Sequence, residues 1–230
     1  MLIWAVLPAA AECAAEPLGV IPTKINIRSK SIIEALLELG QTSSVCFGIE
    51  IRDDRLARTP VAWTEPGPVG KLVESALSDA KGYKLQVRGR IVLISPSETD
   101  EPTWLDTKIP HFKADRSGLQ SLNNLLFMEL RLVEDPSIAG FAGHYRPGQT
   151  RDEIGPFDVR NRTVRDVLDL LVGSSMGGLW LTAERHVRSR ALSTQPFWVT
   201  LQYAESLATN TALMQSIVQR IQSGFDSEVH

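Results

Sequence analysis

Two hydrophobic rhythms alternate along the first half of the chain. Lys24 to Arg28 (KINIR) alternates apolar and polar residues, the period of a half-buried strand. From Ser31 the spacing changes to a helical one: Ser31 and Glu34 stand at capping-box distance, the run Ile32 to Leu39 is rich in Ile and Leu, and Gly40 is a natural stop. Ser44 to Ile51 (SVCFGIEI) then reads as a strand. Arg52 to Arg55 reads as a turn and Pro60 to Thr64 (PVAWT) as a short extended piece. A second helix is predicted over Pro68 to Leu77, with Val69, Leu72, Val73 and Ala76 on one face. Tyr83 to Val87 and Ile91 to Ile94, joined by Arg88-Gly89-Arg90, predict a closing hairpin.

The same order is predicted again in the second half. Leu105 to Phe112 reads as a strand, Ser117 and Gln120 open a helix with Leu119, Leu122 and Leu126 on one face, and Leu130 to Val133 reads as the next strand. Ile154 to Val159 is extended. Thr163 and Asp166 open a helix with Val164, Val167, Leu168 and Leu171 at i, i+3, i+4 and i+7. Gly178 to Ala183 and Phe197 to Tyr203 close the pattern. The predicted class is therefore α+β, as two tandem units of order β-α-β-β-α-β-β, each with two helices packed on its own small sheet. The first unit spans residues 18–95, a Ser/Glu/Asp/Pro-rich linker 96–103, and the second unit 104–204. Residues 135–152 form an insertion in the second unit, and residues 205–230 are a tail with a weak helical pattern that docks on the second unit or on a partner.

The first copy, from Ile25 to Ile94, resembles the short N-terminal domain shared by secretins and TonB-dependent outer-membrane receptors. The segments that carry this are Ala35-Leu36-Leu37-Glu38-Leu39-Gly40 with its following strand, and Pro68 to Leu77 before Gly82-Tyr83-Lys84-Leu85. The second copy, Lys108 to Tyr203, is a more distant match, best over Thr163 to Leu171. The resemblance implies a periplasmic, non-enzymatic module that contacts another envelope protein or itself, in secretion, transport or signalling. The chain departs from that architecture in having no pore or barrel region after the module.

The start of the chain points the same way. Met1 to Ala15 is apolar and then rich in small residues, with Ala9-x-Ala11 or Cys13-x-Ala15 as a cleavage site, and resembles a signal peptide without its usual positive charge. The competing reading is an N-terminal helix packed on the core. Cys13 sits at that border, where it is either lost, retained or lipidated, and Cys46 lies in an apolar run as a small core residue.

Charge and motifs narrow the functional classes. A net charge of -3 with 22% charged residues leaves no basic field of the kind a nucleic-acid binder carries. His111, His144, His186 and His230 have no second ligand at metal spacing, and neither HExxH nor CxxC occurs, so no metal or cofactor is expected. No nucleophile elbow is read either. Asp53-Asp54 and Asp152-Glu153 are the carboxylate pairs available for acid-base chemistry, both in turn-like sequence. Trp63, Trp180 and Trp198 read as core residues, and Trp104 as a contact residue beside the linker. Phe141, His144, Tyr145 and Arg146, in the inserted loop, are the candidate partner-binding residues. The alternatives to an interaction module are an extracytoplasmic hydrolase or a small-ligand sensor, each using the cleft between the two units.

Overall fold

A computed structural model describes residues 17–22, 25–98, 103–134, 153–175, 177–184, 197–203, 218–219 and 221–223. The fold is α+β, as expected. Its strands are β1 (Ile27–Ser29), β2 (Cys46–Ile51), β3 (Val61–Trp63), β4 (Tyr83–Arg88), β5 (Ile91–Pro96), β6 (Lys108–Ala114), β7 (Phe157–Thr163), β8 (Gly178–Glu184) and β9 (Phe197–Tyr203). Its helices are α1 (Ile32–Ser43), α2 (Arg55–Arg58), α3 (Val69–Asp79), α4 (Leu119–Glu134) and α5 (Val164–Gly173).

The sheet arrangement differs from the expectation of one small sheet per unit. A single five-stranded sheet of order β4-β5-β2-β8-β9 takes strands from both halves, and β2 is its centre, parallel to β5 on one side and to β8 on the other. The sheet therefore runs across the Ser95 to Thr103 boundary read from composition. All six residues of β2 are buried, as a strand covered on both faces must be. Phe47, Ile49 and Ile51 share one apolar cluster with α1, α3 and residues of the β1–β3 ribbon. Cys46 belongs to the other cluster, with Trp180, α4 and α5. The pleat thus sends first-half helices to one face of the sheet and second-half helices to the other. Two antiparallel ribbons, β1–β3 and β6–β7, pack on the helices of their own halves.

Local chemistry explains most boundaries. Ser31 caps α1 by accepting from the Glu34 N–H at 3.2 Å, and Thr163 with Asp166 closes a full capping box on α5. Helix α1 does not end at Gly40 but runs to Ser43, where the hydroxyls of Thr42 and Ser43 bond back to the Leu39 carbonyl and Ser44 takes the left-handed conformation at φ 56°. Gly40 serves packing instead, because a Cβ there would lie 3.2 Å from the Val45 carbonyl oxygen. In the hairpin turn, Gly89 supplies the positive φ of 61°.

Two expectations in the second half need correction. Leu130 to Val133 is not a strand but the end of α4, which keeps Leu119, Leu122, Leu126 and Leu130 buried on one stripe. The second half therefore lacks a counterpart of β2 among the described residues, and its order is β-α-β-α-β-β. Nor does Ser117 cap α4: its backbone exchanges hydrogen bonds with Ile154 at 3.0 and 3.1 Å, and the helix begins at Leu119. The described part of the tail also docks elsewhere than on the second unit. Val218 and Ile221 are buried in the first-half cluster, and Gln222 Nε2 donates to the Ala57 carbonyl at 3.0 Å.

The halves pack backbone against side chain at Gly48. Its partner in the neighbouring strand is Trp180, which is fully buried and lies over the glycine. A Cβ at Gly48 would sit 2.5 Å from two atoms of the indole ring. Gly48→Ala is expected to cost about 2 kcal/mol through overpacking, read as a lowered urea midpoint, whereas Gly89→Asn in the open hairpin turn should change it by under about 0.5 kcal/mol.

Candidate functional site

A cluster of charged residues forms where the β4–β5 hairpin and β2 meet α5. Glu50 alternates onto the second-half face of β2, where its neighbour across the sheet is Thr182, also buried. A buried carboxylate needs a counter-charge, and Arg165, in the first turn of α5, supplies it: the two form an ion pair with side chains 9% and 15% exposed. The same guanidinium reaches Asp106 Oδ1 at 3.2 Å and the Thr103 hydroxyl at 3.5 Å. A cation is ill placed at a helix N-terminus, so these partners hold it against both burial and the helix dipole.

From the same first turn and the next one of α5, Asp166 and Asp169 clamp Arg88 of β4. Arg88 Nη2 lies 2.7 Å from Asp166 Oδ1 and its Nε 3.3 Å from Asp169 Oδ2. Trp180 Nε1 donates to the other oxygen of Asp169 at 2.9 Å. The two carboxylates are driven apart in acidity. Burial pushes Asp169 up, and neither the indole hydrogen bond nor Arg88 offsets it. For Asp166 burial also acts upward, but hydrogen bonds from Thr163 and the Arg88 charge outweigh it and hold the carboxyl below the usual range. Burial lowers Arg165, against the upward pull of Asp169 and Asp166.

Two cavities of about 400 and 410 Å³ flank Arg88. The first lies between the hairpin turn and α5, with Arg90, Ile91, Arg162 and Leu170 in its lining. The second lies over Glu50 and Arg165, with Lys84, Gln86 and Ser95.

Sequence reasoning named Asp166 only as a helix cap and Arg88 and Arg90 only as a hairpin loop, and passed over Glu50, Arg165, Asp169 and Arg162. A signal was present for Glu50, the one charge in the otherwise apolar run from Val45 to Ile51, and for Arg165, a cation in the first turn of a capped helix. The loop residues Phe141, His144, Tyr145 and Arg146 lie outside the described residues, as do Asp152, His186, His230 and residues 204–217, 220 and 224–230 of the tail. Asp53 and Asp54 form no acid-base pair. Asp53 accepts from Arg55 Nε at 2.9 Å and from the Tyr83 hydroxyl at 3.3 Å, while Asp54 pairs with Arg58. Burial pushes the Tyr83 phenol up to about 12. His111 lies 2.8 Å from Asp158 on the outer ribbon. Cys46 is buried, with Sγ 3.4 Å from the Val172 and Ser175 carbonyls, and burial raises its thiol, the behaviour of a core residue. Trp63 and Trp180 are buried, Trp104 is half-buried against the second core, and the Trp198 side chain lies outside the description.

One spelling escapes a reading that finds no nucleophile elbow: Gly173-Ser174-Ser175-Met176-Gly177 fits Gly-x-Ser-x-Gly. The fold removes its catalytic meaning. An elbow turns from strand to helix with an exposed serine, but here the chain leaves α5 for β8, and buried Ser175 donates to the Val172 carbonyl at 2.7 Å. Among the described residues no group of three His, Cys, Asp or Glu side chains is placed to hold a metal, and no helix is long and apolar enough to cross a membrane. Comparison of the chain with family models, with curated proteins and with solved structures gave no match.

The buried pair and the capping carboxylate give separable predictions. Arg165→Met leaves Glu50 buried without its cation and should cost about 3 kcal/mol in urea unfolding, while Glu50→Leu with Arg165→Met should recover at least about half of that loss. Asp166 contributes stability that is fully present above its unfolded value near 3.9 and is lost as pH falls through its lower folded value. Asp166→Asn should therefore cost about 1 kcal/mol at pH 7 and flatten the acid limb of a stability-against-pH curve below about pH 4.

Proposed function

We propose that the chain is a non-enzymatic, exported protein-interaction module of the bacterial envelope, related to the short N-terminal domains of secretins and TonB-dependent receptors, that recruits its partner along a sheet edge. The observation that carries this reading is β4. It is the outermost strand of the five-stranded sheet, six residues long, with no strand on its outer side among the described residues. An edge of that length offers unpaired backbone donors and acceptors to an incoming strand. Val87, an apolar residue 37% exposed, stands on it.

Two further features support the family part of the proposal. From Ile27 to Pro96 the elements run strand, helix, strand, strand, helix, hairpin, with one added turn of helix at Arg55 to Arg58, the order the resemblance implies. The two carboxylates of the cleft, Asp166 and Asp169, are engaged with Arg88, with the cap of α5 and with Trp180, which favours the interaction reading over the hydrolase one.

Export and interaction are separable. Expressed from Met1 in a Gram-negative host, the chain should be recovered from the periplasm with an N-terminus between Glu12 and Glu16; an intact N-terminus in the cytoplasm overturns the export reading. A photo-crosslinking residue at Val87 should give one discrete adduct in the organism that produces the protein, and the same residue at Lys113 on the outer ribbon should give none. Equal labelling at both positions, or at neither, overturns the edge.

A further inference from the structure

The cleft between the hairpin and α5 has a charge pattern that the interaction reading does not use. Three cations, Arg88, Arg90 and Arg162, line the cavity of about 400 Å³ against two carboxylates, Asp166 and Asp169. Both carboxylates are committed: Asp166 to Arg88 and to the cap of α5, and Asp169 to Arg88 and Trp180. Arg88 is committed with them. The charges left over are Arg90, from the hairpin turn, and Arg162, from β7, and neither has an ion-pair partner among the described residues. The uncommitted field of the cavity is therefore positive.

The rest of the lining is Ile91, Val159 and Leu170 with two glycines and Ser174, whose hydroxyl already donates to the Leu170 carbonyl at 2.7 Å. Ile91 is itself part of the second-half core. A volume of this size lies in the range of small-molecule sites, which combine an apolar wall with a few polar groups that fix orientation. Bare phosphate would satisfy the guanidiniums but waste the wall. An uncharged hydrocarbon would fill the wall and leave two cations facing it.

We propose that this cavity is a binding site for a small organic anion with an apolar body, held by Arg90 and Arg162 at its charged end and by Ile91, Val159 and Leu170 along its length. The site goes beyond the edge interaction and does not depend on it. Arg88 sits at the cavity wall as the structural arginine, fixed by α5, so the ligand meets a preset rather than a collapsing pocket.

Three matched probes test this on the whole chain at low ionic strength, followed by calorimetric titration. They are 4-phenylbutyrate, which has charge and body, 4-phenyl-1-butanol, which has the body alone, and inorganic phosphate, which has the charge alone. Phenylbutyrate is expected to bind saturably and at least about tenfold more tightly than either of the others. Arg90→Gln with Arg162→Gln should weaken it by at least about tenfold, with an unchanged circular dichroism spectrum, while Lys113→Gln should leave it unaltered. Equal affinity for the alcohol or for phosphate overturns the proposal. So does binding that survives in the double variant, or no saturable binding up to the solubility of the probe. Crosslinking at Val87 is read independently, so a lost edge with a retained anion site, or the reverse, separates the two readings.

Discussion

Strand β2 has to be paired on both edges and covered on both faces at the same time, and the other layers take their places from that requirement. Its edges are met by β5 and β8, both parallel to it. Parallel neighbours need crossover connections, and these are supplied in the first half by the segment from α2 to β4 and between halves by the segment from β6 to α5. Because the crossover that leads to β8 passes on the opposite face, the second-half helices cover the side that the first-half helices leave open. The two halves are thus not beads joined by a linker: each lacks a covered sheet without the other.

The two faces of β2 are chemically unequal. Toward the first-half helices it presents Phe47, Ile49 and Ile51; toward the second half the alternating positions are Cys46, Gly48 and Glu50. Branched and aromatic side chains fill the first face without help. The second needs a large side chain from the neighbouring strand, Trp180, to occupy the space over Gly48, and a cation from α5 to neutralise Glu50. The indole then requires an acceptor for its N–H, which is Asp169, and Asp169 requires a cation, which is Arg88. One small residue and one charge in the central strand are followed outward through four side chains to the hairpin.

This chain of requirements also shows how far the sequence was legible. Amphipathic helices with strong caps were readable: the expectation for Thr163 to Leu171 matches α5 because the cap, the acidic first turn and the i, i+3, i+4, i+7 stripe agree. Phe197 to Tyr203 was readable as a strand because Phe, Trp, Val, Thr and Tyr, five of its seven residues, are strand formers. Leu130 to Val133 was not, since four apolar residues in a row fit the end of a helix as well as a strand, and the continuation of the Leu119, Leu122, Leu126 stripe to Leu130 decides it. The shared sheet was out of reach for a different reason. Hydrophobic period tells which residues of β2 face which way, and a strand buried on both faces was signalled by its near-continuous apolar run, but pairing partners distant in sequence leave no trace in period. The cleft followed the same rule: Glu50 announced that a counter-charge must exist, without naming Arg165.

Where apolar packing gives out on the second face, the protein has become polar in a graded way. Nearest the sheet centre the charges are buried, as Glu50 with Arg165, whose other nitrogen reaches out to Asp106. Farther out, Arg88 is shared between two carboxylates at roughly a third exposure. At the rim, Arg90 and Arg162 are exposed and unmatched among the described residues. Buried pairs of this kind are weak contributors to net stability compared with apolar replacements, so their value here lies in fixing the geometry of α5 against the hairpin. That fixed geometry holds the cavity open between them. A cleft lined only by apolar groups would close by collapse, whereas one walled by Arg88 and its two aspartates is held at the length of their hydrogen bonds, and the unmatched cations at its mouth are left free to meet a ligand.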